Sequence, residues 1–290
     1  MSNGIKGKRF LIIGSGRLGT SLYRFLDTHF PGSALILGRK EKNLFSSQYL
    51  TPGDYTNFLD INMVSSLEAI FITVPDDYIK EASRKLLLFY QRQRVIVHMS
   101  GSLPASELDY LRSKGGYYGS LHPLQSFPAP FMPPERMENI IYSFEGDEEC
   151  LPFIYKFVQT AHSRLLKLDE DQKLALHIAA VYASNFVTAV LSFAENILVS
   201  TGIQDIPKNE VLAPLVRGIA EGLENSSTEN LLTGPVQRGD VQTLSKHMHY
   251  LQLHKLDYKN YQTLTDMILD NPHFNIPNST KIKELLRRLS

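Results

Sequence analysis

The chain has 290 residues, 43% of them hydrophobic and 21% charged, and its 30 basic and 30 acidic residues cancel. That length holds one large domain or two ordinary ones, each with a proper core, and zero net charge gives nucleic acid or an anionic membrane no bulk attraction. The lone cysteine, Cys150, excludes an internal disulfide, and the polar start runs into an apolar stretch too short for a signal peptide or a span; a soluble, cytoplasmic protein is expected.

The first half alternates short apolar strands with helical periodicity, the pattern of a doubly wound parallel sheet. Residues 10–13 read as a strand, 18–29 as a helix with Leu18, Leu22, Phe25 and Leu26 on one face, and 34–37 as the second strand. A short helix is predicted over 43–50 and a weak strand near 60–63. A strand over 69–74 is followed by a helix over 78–90, and further strands are predicted over 95–98, 117–121 and 140–144. Between the last two, the prolines from Pro128 to Pro134 demand a stiff loop rather than helix or central strand.

After a helix over 151–162 and a last strand over 164–168, the pattern turns helical: 171–201, 207–223, 242–256 and 258–269. The predicted architecture is therefore an α/β, Rossmann-like doubly wound domain over 1–168, followed by an all-α domain over 169–290.

Chemistry concentrates at the strand ends. Gly14-Ser15-Gly16-Arg17-Leu18-Gly19 is a G-x-G-x-x-G turn between a strand and a helix, the fingerprint of dinucleotide binding. Gly14 suits the tight turn, Gly16 the close approach of a pyrophosphate, and Gly19 the packing of helix on strand, while the helix start offers free N–H groups to phosphate. An NAD site carries an acid about 20 residues further on. Here the second strand ends in Gly38-Arg39-Lys40, two cations suited to a 2′-phosphate, which favours NADP.

Val74-Pro75 closes another strand on the cofactor side, and Asp76 or Asp77 is expected to cap the next helix rather than to catalyse. Ser100 faces either nicotinamide or its own loop backbone. His122, beyond another strand end, is a candidate proton donor or acceptor. At 100° per residue, His177 and Ser184 share one helix face, flanked by Val181 and Asn185, as polar groups that need partners. Arg238, in Thr233-Gly234-Pro235-Val236-Gln237-Arg238-Gly239-Asp240, suits a carboxylate or phosphate unless it only pairs with Asp240, the expected cap of the next helix. No metal-ligand spacing is present; His247 and His249 lie two apart on a helix and diverge.

The glycine turn, Val74-Pro75-Asp76-Asp77, His98-Met99-Ser100-Gly101, Ser120-Leu121-His122-Pro123, His177 with Ser184-Asn185-Phe186, and the Thr233 to Asp240 segment together resemble one family. It comprises Rossmann-like proteins whose helical C-terminal half is a domain of unknown function, number 2520. That family looks related to pyrroline-5-carboxylate reductase, ketopantoate reductase, 3-hydroxyisobutyrate dehydrogenase and prephenate dehydrogenase. The resemblance implies a dimer and a substrate in the cleft between the two halves. The chain departs from the hydroxyisobutyrate type in lacking Lys-x-x-x-Asn on the long helix, so no relative's substrate transfers.

The expected activity is an NADP-dependent oxidoreductase moving a hydride to or from a carbonyl, hydroxy or imino carbon of a small carboxylate. His122 or His177 would handle the proton, Ser184, Asn185 and Arg238 would orient the substrate, and Ser100 would lie near the nicotinamide. No metal is expected. A homodimer through the helical domain is implied by analogy. The rival reading is a non-catalytic NADP(H)-binding sensor or scaffold.

Overall fold

The structure is a computed structural model, and it describes residues 7–39, 48–58, 67–87, 94–202 and 207–288. The chain divides into two compact units, Met1–Ser184 and Asn185–Ser290.

The first unit is built on an eight-stranded sheet in the order β3-β2-β1-β4-β5-β6-β7-β8. Its strands are β1 (Phe10–Ile13), β2 (Ala34–Leu37), β3 (Tyr55–Thr56), β4 (Ala69–Ile72), β5 (Val95–His98), β6 (Tyr117–Pro123), β7 (Ile141–Gly146) and β8 (Arg164–Lys167). All neighbours pair in parallel except β6 and β7, so β7 and β8 run against the other six. The order reverses between β1 and β4, and the crevice outside such a switch point is where ligands bind in open α/β sheets.

Strands β1, β2 and β4 read as unbroken apolar runs because both faces are covered. Along β1, Phe10 and Ile12 enter one core with Leu22, Phe25 and Leu26 of α1 (Arg17–His29) and Ile154 and Phe157 of α3 (Leu151–Thr160). Leu11 and Ile13 enter the opposite core with Ile79 and Leu86 of α2 (Ile79–Leu86) and Leu108 and Leu111 of a 3₁₀ stretch, Ala105–Lys114.

The expected strand near 60–63 and most of the expected helix over 43–50 lie outside the described residues. The described third strand is Tyr55–Thr56, beside β2. The proline-rich segment is a loop, strapped to α1. The Phe131 and Met132 amides donate to Thr20 Oγ1 and Ser21 Oγ at 3.0 and 3.2 Å, and Arg24 Nη1 donates to the Phe131 carbonyl at 2.8 Å.

The long helix starts on Asp169, whose side chain accepts from the Gln172 amide while Gln172 returns a bond to the Asp169 amide. It runs as α4 (Glu170–Val181), a π-helical stretch over Tyr182–Phe186, and α5 (Val187–Ser200). By length and composition this run is apolar enough to cross a membrane. The domain boundary expected after Leu168 falls before α4, whereas the compact units divide inside the π stretch, leaving α4 with the sheet.

In the second unit, α6 (Lys208–Asn225) is followed by a short turn of helix, α7 (Gly234–Gln237), then α8 (Val241–Leu253), α9 (Tyr258–Asp270) and α10 (Ser279–Arg288). Its core is Leu244, Met248, Ile276, Ile282 and Leu286. Asp240 caps α8 as expected: its carboxylate accepts from the Thr243 amide at 3.0 Å and the Thr243 hydroxyl at 2.7 Å.

Candidate functional site

Six parallel strands bring their carboxyl ends to one edge of the sheet, and the glycine turn, Arg39, Val74-Pro75, the loop after β5 and His122 all follow or end those strands. The turn is shaped by contact. A Cβ on Gly19 would stand 2.0 Å from the Gly14 carbonyl oxygen, which no side chain tolerates, whereas beside Gly16 there is nothing within 4 Å. Ser15 and Arg17 lie in this same turn, and α1 begins at Arg17-Leu18 with no side-chain cap at Gly16 and no acid in its first turn. Open space at Gly16, uncapped N–H groups and the positive end of a helix dipole fit the phosphates of a dinucleotide.

At the end of β2, the Arg39 guanidinium lies over the Tyr78 ring, 4.9 Å from its centroid. The stack holds a cation where a nucleotide ribose would need a partner. Lys40 lies outside the described residues.

The Asp76 carboxylate has a different role from the one expected. Pro75 occupies the cap position of the short Asp76–Tyr78 helix, and no side chain caps it. Asp76 Oδ2 instead accepts from Ser100 Oγ at 2.9 Å and Ser102 Oγ at 2.8 Å, tying the loop after β4 to the loop after β5. A following loop that supplies hydroxyl donors competes with a cap for the carboxylate. Ser100 Oγ also accepts from the Ser102 and Leu103 amides at 3.2 and 3.0 Å. These bonds describe the loop role of the two considered for Ser100.

Below that loop His98 is fully buried; its Nε2–H donates to the Pro104 carbonyl at 3.0 Å and its Nδ1 accepts from the Ser100 amide at 3.3 Å. Burial pushes this imidazole down to about 4, so it is a neutral structural group.

His122 and His177 come together, one at the end of β6 and one on α4. Their rings meet edge to face with centroids 5.9 Å apart. His122 Nδ1 lies 3.2 Å from the Met99 carbonyl; because a carbonyl only accepts, Nδ1 carries the hydrogen and Nε2 the lone pair. Burial pushes His122 down to about 4; the Met99 bond opposes this, and the charges of His177 and Lys173 add to it. His177 Nδ1 is buried without a hydrogen-bond partner. Gly101 lies between the rings: a Cβ there would stand 2.5 Å from His177 Nδ1 and 2.9 Å from His122 Nε2.

Sequence reasoning missed Lys173. It is buried, and its Nζ donates to the Leu103 carbonyl, fastening α4 to the loop that carries Gly101. Burial pushes its ammonium down to about 8 against the attraction of Glu145, Asp76 and Glu170. Glu145, on β7, accepts from the Ala105 amide at 2.6 Å and is itself raised, chiefly by burial. The available signal was a lysine four residues before His177 on an otherwise apolar helix; a search for Lys-x-x-x-Asn passes over Lys-x-x-x-His.

His177 and Ser184 share a face only at 100° per residue, and that period ends at Val181 where the π stretch begins. The Ser184 hydroxyl donates back to the Ala180 carbonyl at 2.7 Å. Asn185 and Arg238 belong to the second unit, where Arg238 is exposed at the C-terminal cap of α7. Among the described residues no group of three or more His, Cys, Asp or Glu side chains is arranged to hold a metal.

A doubly wound sheet with a glycine turn at its switch point and a helical C-terminal unit defines the Rossmann-like class. Residues 140–268 match the family model described as a domain of unknown function, DUF2520. No curated protein matches the chain. Among solved structures, a Bacteroides fragilis protein assigned as an NADP oxidoreductase superposes with a TM-score of 0.72 at 22% identity, over 97% of this chain and 99% of that one. An imine reductase from Myxococcus stipitatus in complex with NADP⁺ gives 0.60 at 14% identity, over 97% and 99%. Pyrroline carboxylate reductase from Plasmodium falciparum with NADP bound gives 0.59 at 11% identity, over 98% of both chains. At these identities the likeness is one of fold.

Proposed function

We propose that this protein is an NADP-dependent oxidoreductase acting on a carbonyl, hydroxy or imino carbon of a small carboxylate. The observation that carries the reading is the His122–His177 pair, at the same sheet edge as the glycine turn. An imidazole pair beside a dinucleotide cradle is suited to moving the proton that accompanies a hydride. The dihydronicotinamide supplies the hydride when bound; the chain supplies orientation and the proton.

Gly14, Ser15, Gly16, Arg17, Leu18 and Gly19 would hold the pyrophosphate through main-chain N–H groups, with Val74-Pro75 lining the site and Ser100 shaping it from the loop after β5. Arg39, with Lys40 next to it in sequence, would bind the 2′-phosphate. Ser184, Asn185 and Arg238 stay as proposed contacts to the substrate. The solved oxidoreductases of this fold whose names or complexes include NADP support the choice of cofactor.

We also propose a homodimer in a soluble, cytoplasmic setting. Leu174, Ile178 and Tyr182, four apart on the long helix, are 46%, 50% and 56% exposed, and Leu215, Ile219 and Leu223 on α6 are 66%, 56% and 51% exposed. An apolar stripe on each of these two helices suits a second copy of the chain. The long helix also carries buried Lys173 and half-buried His177 against the sheet unit, which argues against a lipid-embedded span. Sedimentation equilibrium tests this: a dimer is expected, and Ile219→Glu should give a monomer.

The activity is tested by titrating the protein with NADPH, NADH and S-adenosylmethionine, then screening oxo and imino acids at the nicotinamide absorbance. NADPH should bind at least about tenfold more tightly than NADH, and one substrate class should consume it. Tight NADPH binding without turnover of any compound would favour the sensor or scaffold. Intact turnover in both His122→Ala and His177→Ala would remove the histidines from the mechanism.

A further inference from the structure

We infer that the two histidines form a relay in which His177 carries the transferable proton and His122 is its positioning residue, acting through His177 rather than on the substrate. The inference rests on the oxidoreductase reading for its chemistry, but its geometry stands on the described residues alone.

Three observations define the relay. The Met99 carbonyl fixes the hydrogen of His122 on Nδ1, leaving the Nε2 lone pair as the only acceptor that ring offers. That Nε2 and His177 Nδ1 converge on the same face of Gly101, at 2.9 and 2.5 Å from the position a Cβ would take. His177 Nδ1 is sealed from water and has no partner, a costly state for a ring nitrogen, and the His122 Nε2 lone pair lies beside the same Gly101 position. The ring's other nitrogen, Nε2, is not among the buried atoms left without a partner. A glycine at 101 lets the two imidazoles close on each other; any side chain there would be a wedge.

The charged neighbours set the roles apart. Lys173 approaches from α4, Asp76 from the loop after β4 and His98 from β5, and Glu145 faces Lys173 from β7. Burial with Lys173 nearby opposes a second proton on His122, so His122 remains an acceptor. His177 in its charged form then has Nδ1–H directed to His122 and Nε2–H free to leave.

In the reductive direction a bound dihydronicotinamide would supply a hydride to the carbon of a C=O or C=N group. The π electrons of that bond pass to the heteroatom, which takes the proton from His177 Nε2. The imidazolium becomes neutral imidazole and keeps its Nδ1–H. The product is an alcohol or amine, and solvent returns a proton to Nε2. His122 changes neither charge nor tautomer at any point.

The test is a ¹⁵N–¹H correlation of the histidine side chains across pH in the protein without cofactor or substrate. His122 is expected as the neutral Nδ1–H tautomer at neutral pH, and His177 is expected to retain Nδ1–H throughout. His122→Leu should leave His177 a mixture of tautomers, and His122→Gln, which restores an acceptor, should recover the single tautomer. An Nε2–H tautomer for His122, or an Nε2–H tautomer for His177, would overturn the relay. Should the leucine variant not fold, the wild-type spectrum and His122→Gln decide alone. With an active substrate, His122→Leu should lower kcat about 100-fold at unchanged KM and lose the limb of the pH profile that His122→Gln keeps. The spectra need no turnover, so failure of the activity screen and failure of the relay are separate results.

Discussion

Lys173 and Leu103, separated by 70 positions, are joined by a hydrogen bond from the Lys173 ammonium to the Leu103 carbonyl. Through it one buried cation sets where α4, and with it His177, lies against the loop carrying Gly101. Burial pushes Lys173 down to about 8, so between there and its free value of 10.5 the unfolded chain binds a proton that the native chain does not. Unfolding free energy therefore rises with pH in that window, by about 2 kcal/mol between pH 7 and pH 9.5. Urea unfolding should show this rise in the wild type and its loss in Lys173→Met.

His98 and His122 give the same sign at lower pH. Burial pushes both imidazoles down to about 4, against 6.5 in a free histidine. As pH falls from 6.5 towards 4 the unfolded chain takes up protons that the native chain refuses, and stability falls. Each histidine should account for about 2 kcal/mol of that loss by pH 5. Denaturant unfolding of the wild type and of His98→Leu at pH 7 and pH 5 measures it, with the variant losing less than the wild type on acidification.

Arg39 tests cofactor choice. Its stack on Tyr78 is independent of any phosphate, so Arg39→Ala should leave the fold intact. Loss of a charge-assisted contact to a 2′-phosphate should weaken NADPH about 10- to 100-fold while NADH changes little. Fluorescence titration of both nucleotides separates the two effects; an equal loss for both would take Arg39 out of the 2′-phosphate site.

Lys8 and Asp54 pair at 2.6 Å with side chains only 6% and 12% exposed. Burial works against the Asp54 charge, but hydrogen bonds from Lys8 and Thr51 hold its carboxyl below the usual range. Lys8→Met leaves a buried carboxylate without its cation and should cost about 3–5 kcal/mol. The deficit relative to wild type should shrink as pH falls and Asp54 is protonated, because the stability gained from a lowered carboxyl is present above its free value and lost below.

Much of the first unit was legible because its signals are local. The runs at Phe10, Ala34, Ala69 and Val95 are strands buried on both faces, and such strands show as continuous apolar sequence. Gly14 to Gly19 and the Asp240 cap are short-range motifs whose geometry follows from their own residues. The site was less legible because its contacts are long-range. Asp76 reads as a helix cap until serines from the next strand's loop are seen to take its oxygens. Lys173 reads as an ordinary helix lysine until Leu103 appears above it. Ser184 was aligned with His177 by a period that a π stretch interrupts, and no residue between Tyr182 and Phe186 announces that stretch.

The strap between the proline-rich loop and α1 has a consequence for how variation is read in this protein. The hydroxyls of Thr20 and Ser21 that receive the Phe131 and Met132 amides also donate to the Gly16 and Arg17 carbonyls, inside the first turn of the helix. Two side chains thus join the glycine turn to a loop more than a hundred positions away in sequence. An insertion or a lost proline in that loop should be felt as weaker nucleotide affinity. Sequence changes between residues 127 and 134 are therefore best assayed by cofactor binding rather than by stability.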